Sequence, residues 1–206
     1  MSTDVRTKEA PVTSTQAGSA ANSVATRVRL VDAAVRLITQ HGFAGTSLQM
    51  IADELGFTKA AIYYHFRTRE QLLSAVVEPF LDELRAVIDE AEQLRGVHAR
   101  ADRMVRGYAA LAVRNRALVS VLAGDPSVIE ALRARSEWAA VIDRQMALLT
   151  DMDPGPPGMV KATMVFSGMS GAAGPASADI ADDDLYRHLV ETSRRALGLR
   201  TPREKA

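Results

Sequence analysis

The 206-residue sequence has no cysteine, few aromatic residues (5%) and no net charge. The absence of cysteine excludes disulfide frameworks, thiolate catalysis and cysteine-based zinc sites. Zero net charge argues against a general nucleic-acid coat protein. The apolar uncharged stretch 162–178 contains glycines and a proline and is too short for a good membrane span. The first residues lack the apolar segment of a signal peptide. We therefore expect a cytoplasmic chain with no membrane association.

The most informative segment runs from residue 46 to residue 66. Thr46 and Gln49 have the spacing of a helix capping box. Apolar residues then follow at helical spacing, namely Leu48, Ile51, Ala52 and Leu55. Gly56 predicts a left-handed turn, and Thr58 predicts the N-cap of a second helix whose buried stripe is Ile62 and Phe66. Two short helices around a glycine turn predict a helix-turn-helix, whose second helix enters the DNA major groove.

Residues 26–75 resemble the DNA-binding domain of the TetR family of repressors. The matching residues are 45–48, 51–52, 56–58, 62–66 and 69–72, after a helix closed by Gly42 and Phe43. The family pattern usually has lysine at the position of Arg69 and often valine at that of Phe57. The resemblance implies a homodimer that binds double-stranded operator DNA. Beyond about residue 80 it concerns the helical architecture alone.

The outer arc of the second helix should carry the DNA contacts. Because Ile62 and Phe66 face inward, Lys59, Ala60, Tyr63 and Tyr64 occupy this arc. Lys59 can reach a phosphate or a guanine edge, and small Ala60 lets the helix approach DNA closely. As alternatives, Tyr64 packs at the core or rim, and Lys59 is only a solvated charge.

The resemblance adds further DNA contacts. It implies that Tyr63 and His65 contact the DNA backbone, and that Thr46 or Ser47, with Thr58, donate hydroxyl groups to phosphate. Arg69 begins a helix, where exposed N–H groups already favour an anion. His65 could alternatively be an ordinary histidine favoured by the helix dipole. The full predicted DNA-binding set is Thr46, Ser47, Thr58, Lys59, Ala60, Tyr63, Tyr64, His65 and Arg69.

No segment alternates apolar and polar residues as a strand does, so the predicted fold class is all-α. The predicted organisation is a disordered tail (1–23), a helix-turn-helix domain (24–70), a helical ligand-binding and dimerisation domain (71–200) and a second tail (201–206). Arg6 and Lys8 could alternatively form a minor-groove arm. We expect helices from Thr26 to Gly42, from Arg69 to about Leu94 with a kink or break at Pro79, and over 97–114, 116–123, 126–150, 157–172 and 183–198.

The second domain carries two weaker site predictions. A methionine-rich set could line an apolar ligand cavity or simply form the core: Met104, Tyr108, Trp138, Ile142, Met146, Phe166 and Met169. Arg106, Arg114, Asn115 and Gln145 could orient a ligand, although polar residues more often face solvent. A dimer interface is predicted at Gly168, Gly171, Leu185 and Leu189.

Catalysis and metal binding have little support. The segment 168–172 faintly resembles a nucleophile elbow, which requires a preceding strand. The acidic run 182–184 is typical of a helix start, and His98 and His188 have no ligand-spaced partner. We expect no enzyme, no metal and no cofactor. The sequence favours a homodimeric repressor released from a palindromic operator by a small hydrophobic effector; the alternative is a DNA-binding regulator controlled by a protein partner.

Overall fold

The computed structural model describes residues 14–199, with side chains from residue 25 onward except those of Ala123 and Ala176. This part of the chain is helical and contains no strand, which confirms the predicted all-α class. The helices are α1 (Ser14–Gly45), α2 (Leu48–Glu54), α3 (Lys59–His65), α4 (Arg69–Glu92), α5 (Val97–Arg114), α6 (Arg116–Gly124), α7 (Pro126–Arg133), α8 (Ser136–Thr150), α9 (Pro156–Ala172) and α10 (Asp182–Ala196), with a 3₁₀ turn at Pro175–Ser177.

Residues 25–70, here called the head, form a three-helix unit. Gly42 adopts a positive φ of 72° and interrupts α1 near its end, and Gly56 (φ 67°) makes the turn between α2 and α3. Side chains from all three helices meet in one core, including Leu30, Ile51 and Ile62. The predicted helix-turn-helix is therefore present.

Residues 71–199, here called the body, pack around α5. Helix α5 contacts α4, α8 and α10, while α9 lies against α6, α8 and α10. Helix α4 presents a continuous buried stripe that includes Leu73, Phe80 and Ile88. The predicted break at Pro79 is absent: Pro79 is exposed, and α4 continues past it with buried residues on both sides.

Two predicted helix boundaries were wrong. Helix α1 begins at Ser14, so residues 14–23 of the predicted tail are helical, because a nucleated helix extends at low cost through alanine-rich sequence. The predicted helix 126–150 is divided into α7 and α8 at Arg135, which has extended backbone angles. The break accompanies burial of Trp138, whose Nε1 donates to Glu78 at 3.2 Å. The remainder of the predicted tails, 1–13 and 201–206, lies outside the described residues, as does Arg200.

Among the helices of the described residues, none combines the length and the apolar character needed to cross a membrane.

Candidate nucleic-acid interface and cavities of the body

Helix α3 exposes one continuous polar face. Lys59, Ala60, Tyr63 and Tyr64 all lie on it, and the exposed fractions are 43% for Tyr63 and 81% for Tyr64. Ile62 is fully buried on the opposite side. We call these four exposed residues the α3 face. Neither tyrosine hydroxyl has a hydrogen-bond partner among the described residues, so both remain available to an external partner.

The capping residues of α2 and α3 position this face. The Thr58 hydroxyl accepts a hydrogen bond from the Ala61 N–H (3.2 Å) and caps α3 as predicted. At α2 the predicted capping box was wrong, because Ser47 is the N-cap and accepts from the Met50 N–H at 3.1 Å. Thr46 is buried and donates to the Gly42 carbonyl at 2.8 Å. Of the two alternatives Thr46 and Ser47, only Ser47 has an exposed side chain.

Arg69 holds the head together and does not point freely outward. Its Nη1 lies within hydrogen-bond distance of the carbonyls of Ala44 (3.0 Å), Phe43 (3.3 Å) and Thr46 (3.4 Å). Its guanidinium also stacks on the Phe43 ring, 5.3 Å from the centroid. Arg69 thus joins the start of α4 to the turn between α1 and α2, and its phosphate contact stays a prediction.

Arg67 is a candidate that the predicted site omitted. It lies in the turn after α3, its side chain is exposed, and it has no salt bridge to a described carboxylate. The sequence signal was its position two residues before Arg69. His65 is half-buried and meets the Tyr64 ring edge-on at 5.2 Å. The His65 ring therefore packs against the Tyr64 ring next to the α3 face.

Several cations of the head lie over aromatic rings. Arg27 lies over Phe66 (4.8 Å), Arg29 over Phe57 (5.1 Å) and Lys59 over Tyr63 (5.7 Å). Within residues 25–70, the only cation paired with a described carboxylate is Arg36, with Glu54. An aromatic ring orients a cation without neutralising it. The head, residues 25–70, therefore keeps an excess of two positive charges, six cations against four carboxylates.

Asp125 connects the body to the head. Its Oδ1 caps α7 by accepting from the Ser127 N–H (2.9 Å) and hydroxyl (2.6 Å). Its Oδ2 accepts from the Phe43 N–H at 2.5 Å, at the end of α1. Burial raises the pKa of Asp125, but the hydrogen bonds from Ser127, Phe43 and Val128 outweigh burial and lower it overall. One carboxylate thus fixes α7 to the turn that precedes α2.

A small pocket of about 180 Å³ lies among α4 to α8 of the body and opens to solvent. Apolar residues of these helices line most of it, with Tyr108, Gln145 and Arg133 as polar members. We call it the α4–α8 pocket. A larger groove of about 650 Å³ lies between α8 and α9, and Arg133 and Ile142 line both spaces. The two spaces are therefore neighbours.

The seven predicted ligand residues do not form one site. Tyr108 and Ile142 line the α4–α8 pocket, whereas Met146 and Phe166 line the α8–α9 groove together with Ile142. The other three residues line neither of these two spaces. Met104 is fully buried core, Trp138 packs beneath Arg135, and Met169 faces a different groove between α9 and α10. Periodicity identified buried positions but could not assign them to a common space.

Gln145 is buried, contrary to the solvent-facing position expected for it. Its exposed fraction is 6%, and its carboxamide has no hydrogen bond to a described residue. By contrast, the other deeply buried polar side chains near the α4–α8 pocket are paired. The Tyr108 hydroxyl lies 2.7 Å from Ser170 Oγ, which itself donates to the Phe166 carbonyl. Burial raises the pKa of Tyr108, and the hydrogen bond with Ser170 opposes this shift in part.

Helices α9 and α10 expose an apolar surface. Met164 is 69% exposed, and a groove of about 510 Å³ runs beside it between the two helices. Gly168 lines this groove, and among the described residues a Cβ at Gly168 or Gly171 would have no side chain or neighbouring helix within 4 Å. The predicted interface residues Leu185 and Leu189 are mostly buried at the floor of the groove.

The segment 168–172 is not a nucleophile elbow. It lies inside α9, no strand precedes it in the described chain, and Ser170 is buried with its hydroxyl committed to the helix backbone. The described residues also contain no cluster of three or more acidic or histidine side chains placed to hold a metal ion.

Comparison with known proteins identifies the head. Residues 30–76 match the family model described as bacterial regulatory proteins, tetR family. The regulator AcrR of Shigella flexneri is 43% identical over 53 residues, which are 26% of this chain and 25% of AcrR. An Escherichia coli protein named probable acrEF/envCD operon repressor is 38% identical over 66 residues, 31% of this chain and 30% of that protein. The chain thus spans less than a third of each of these relatives.

Solved structures extend the similarity to the body. A TetR-family regulator from Streptomyces coelicolor superposes with a TM-score of 0.64 at 22% identity, covering 84% of this chain and 91% of that one. FadR of Bacillus subtilis, solved in complex with stearoyl-CoA, gives a TM-score of 0.58 at 16% identity over 84% and 96% of the two chains. The head is therefore similar in sequence to the tetR family of bacterial regulatory proteins, and the whole described chain shares the fold of solved TetR-family regulators.

Proposed function

We propose that the chain is a homodimeric repressor that binds a palindromic operator through two copies of the α3 face and leaves it when a small hydrophobic ligand occupies the body. The observation that carries the DNA-binding part is the α3 face itself. A lysine and two tyrosines stand exposed on a helix whose other side is fixed in the core. Phosphate contacts position such a helix, and base contacts specify the sequence.

The surroundings of the α3 face support this assignment. Apart from Arg36, no cation of the head has a salt bridge to a described carboxylate, and the exposed side chains of Lys59 and Arg67 are available to phosphate. Ser47 and Thr58 are exposed residues at the starts of α2 and α3, and each has a hydroxyl group. The two tyrosine hydroxyls belong to exposed residues of the α3 face. The proteins similar to the head include one named probable operon repressor, which supports repression as the mode of action.

The exposed surface of α9 and α10 supports the dimer. A single head reads few base pairs, whereas two heads about one helical turn apart match a palindrome. Met164 and Gly168 lie on the same side of α9, with room for a partner helix at the glycine. We propose that a second copy of the chain covers this surface.

DNA selection tests the main proposal. Duplexes recovered from a random pool should share an inverted repeat, and anisotropy titration should show that Tyr63→Ala weakens binding to this repeat and to random duplex by similar factors. A loss confined to the repeat would assign Tyr63 to base reading instead. If the chain retains no duplex, the proposal is wrong.

Light scattering tests the dimer separately. Met164→Glu should convert the dimer to a monomer, because it places a charge in the covered surface. Met159→Glu is the matched control: Met159 is also exposed on α9 but lines the α8–α9 groove. A parent chain that is monomeric at micromolar concentration, or dimers in both variants, would exclude the α9–α10 interface.

The spaces in the body and the FadR complex with stearoyl-CoA support ligand control. A thermal-shift screen should identify a compound that both stabilises the protein and releases it from the selected DNA. If no compound does so across a broad library, control by a protein partner is favoured.

A further inference from the structure

Two exposed cations flank the carboxyl end of α3. The guanidinium of Arg27, on α1, lies 4.8 Å from the centroid of the ring of Phe66, which is the C-cap of α3. Arg67 is the next residue in the chain and is exposed as well. Neither side chain has a salt bridge to a described carboxylate. This end of α3 therefore carries two positive charges and no anion that neutralises them.

The amino end of α3 has a similar arrangement. Arg29, also exposed on α1, lies 5.1 Å from the centroid of the Phe57 ring. Lys59 begins α3 two residues after Phe57, and its Nζ lies 5.7 Å from the centroid of the Tyr63 ring. Asp32 follows Arg29 by three residues on α1 but is not within salt-bridge distance of it. Each end of α3 thus combines one arginine of α1 with one cation from the segment 57–67.

The aromatic rings direct these arginines without neutralising them. The face of a ring attracts a guanidinium by about 0.5–1 kcal/mol at an exposed site. A carboxylate would hold the arginine and also cancel its charge, whereas a ring leaves the charge intact. An arginine that is already held loses less side-chain freedom when it binds an anion. Phosphate is a suitable anion, because its oxygens can accept two parallel N–H groups of one guanidinium.

The separation of the two ends suits a DNA groove. The segment 57–66 spans about 13 Å at the rise per residue of an α-helix. The major groove of DNA is about 12 Å wide. When the α3 face lies against the base edges, the cations at its two ends are therefore close to the phosphates that border the groove.

We propose that Arg27 and Arg29 bind DNA phosphates at the two ends of the α3 face, and that the rings of Phe66 and Phe57 position them. Helix α1 is then a second DNA-contacting helix, which fixes the register of α3 in the groove and reads no base. This assignment rests on the proposed function for the entry of α3 into the major groove. It goes beyond that function because it adds α1 and two aromatic rings to the interface.

Anisotropy titrations at several salt concentrations test the two contacts. Each phosphate contact contributes about 0.9 to the slope of log affinity against log salt. Arg27→Gln and Arg29→Gln should each reduce this slope by about 0.9 and weaken binding about fivefold at 0.15 M salt. The loss should be similar for the selected inverted repeat and for random duplex. Arg36→Gln is the matched control, because this exposed α1 arginine is paired with Glu54, and it should leave the slope unchanged.

A double-mutant cycle tests the role of the ring. Phe57→Leu keeps an apolar side chain but removes the ring beneath Arg29. It should weaken DNA binding about twofold to fivefold in the parent, which is the fold-change that corresponds to one exposed cation–ring contact. The same substitution should have no effect when Arg29→Gln is already present. Phe57 is used because it is half-buried, whereas Phe66 belongs to the core. A general loss of folding would appear in both backgrounds and is thereby separated from positioning.

Unchanged salt slopes in both α1 variants would overturn the proposal, as would a reduction equal to that of Arg36→Gln. A Phe57→Leu effect that persists in the Arg29→Gln background would overturn the positioning role of the ring. If the α1 variants bind like the parent while Tyr63→Ala weakens binding, the α3 face is the interface and only the assignment of α1 is wrong. If the parent chain retains no duplex, the proposed function and this assignment are both wrong.

Discussion

The cations of the head and those of the body have different kinds of partner. In the head, most cations lie over aromatic rings or bond backbone carbonyls, and only Arg36 has a salt bridge to a described carboxylate. In the body, every described cation except Arg95 and Arg133 lies within salt-bridge distance of a carboxylate; examples are Arg103 with Glu90 and Arg144 with Glu92. A chain of zero net charge can thus combine a region with a positive field and a region that is neutral at close range.

This difference explains why overall composition was a poor guide to function. Net charge describes the chain as a sum, whereas a phosphate within a Debye length of about 8 Å responds to local charge. The body cations are neutralised where they stand. The head cations are oriented by rings that leave their charge intact.

The largest expected effect concerns Asp125, where the two regions meet. Asp125→Ala removes both the cap of α7 and the acceptor of the Phe43 N–H, so unfolding should become easier by about 2–4 kcal/mol. Asp125→Asn keeps a capping oxygen but loses the charge and should cost about half as much. Urea denaturation measures both values, with Asp143→Asn, an exposed and unpaired residue, as the control.

The same carboxylate predicts a pH dependence. Its pKa is lowered in the folded chain, so its stabilisation is complete above the ordinary aspartate value and is lost as pH falls through the lowered value. The stability difference between the parent and Asp125→Asn should therefore shrink toward zero in acid. A difference of equal size at pH 7 and pH 3 would show that the charge contributes nothing.

Two matched double variants compare the regions on DNA. Lys59→Gln with Arg67→Gln removes two unpaired cations of the head, and Arg114→Gln with Arg144→Gln removes two paired cations of the body. The head variant should reduce the slope of log affinity against log salt by about 1.8 and lose about 30-fold affinity at 0.15 M salt. The body variant should stay within about twofold of the parent. Equal losses would mean that pairing is irrelevant to DNA binding.

A smaller effect tests how α2 is capped within the head. Ser47→Ala should destabilise the chain by about 1 kcal/mol because it removes the acceptor for the Met50 N–H. Gln49→Ala should cost only about 0.2–0.5 kcal/mol, since Gln49 pairs with Asp53 one turn later and not with the cap. If thermal denaturation shows that Gln49→Ala destabilises the chain more than Ser47→Ala, the predicted capping box of Thr46 and Gln49 would be favoured.

The parts of the site that could be predicted from sequence depend on local spacing. The α3 face followed from Ile62 and Phe66 turning inward, because residues three or four apart share one side of a helix. The predicted N-cap of α2, Thr46, is one residue before the observed N-cap, Ser47. Both residue types are good N-caps, and only the burial of Thr46 in the folded chain distinguishes them. The role of Arg69 depends on carbonyls more than twenty residues away.

The remaining features have no local signal. The sequence correctly predicts that Asp125 caps α7. Its second carboxylate oxygen accepts a hydrogen bond from the Phe43 N–H, 82 residues earlier in the chain. Gln145 looks like a surface residue until five helices close around it. Such features arise when distant elements pack together.

The smallest effect concerns the body salt bridges themselves. Glu83 and Arg114 join α4 to α5, and both side chains are about half exposed. A double-mutant cycle with alanine should give a coupling of about 0.2–1 kcal/mol in low salt and less in 1 M salt, because exposed ion pairs are screened and lose side-chain entropy. The equally exposed pair Arg36 and Glu54 of the head should give a similar value. If both values are small, the body pairs are better explained by the charge they neutralise than by the stability they add. A coupling above about 2 kcal/mol for Glu83 and Arg114 alone would mean that such pairs stabilise the fold of the body. The different pairing of cations in head and body would then be explained by stability and not by DNA binding.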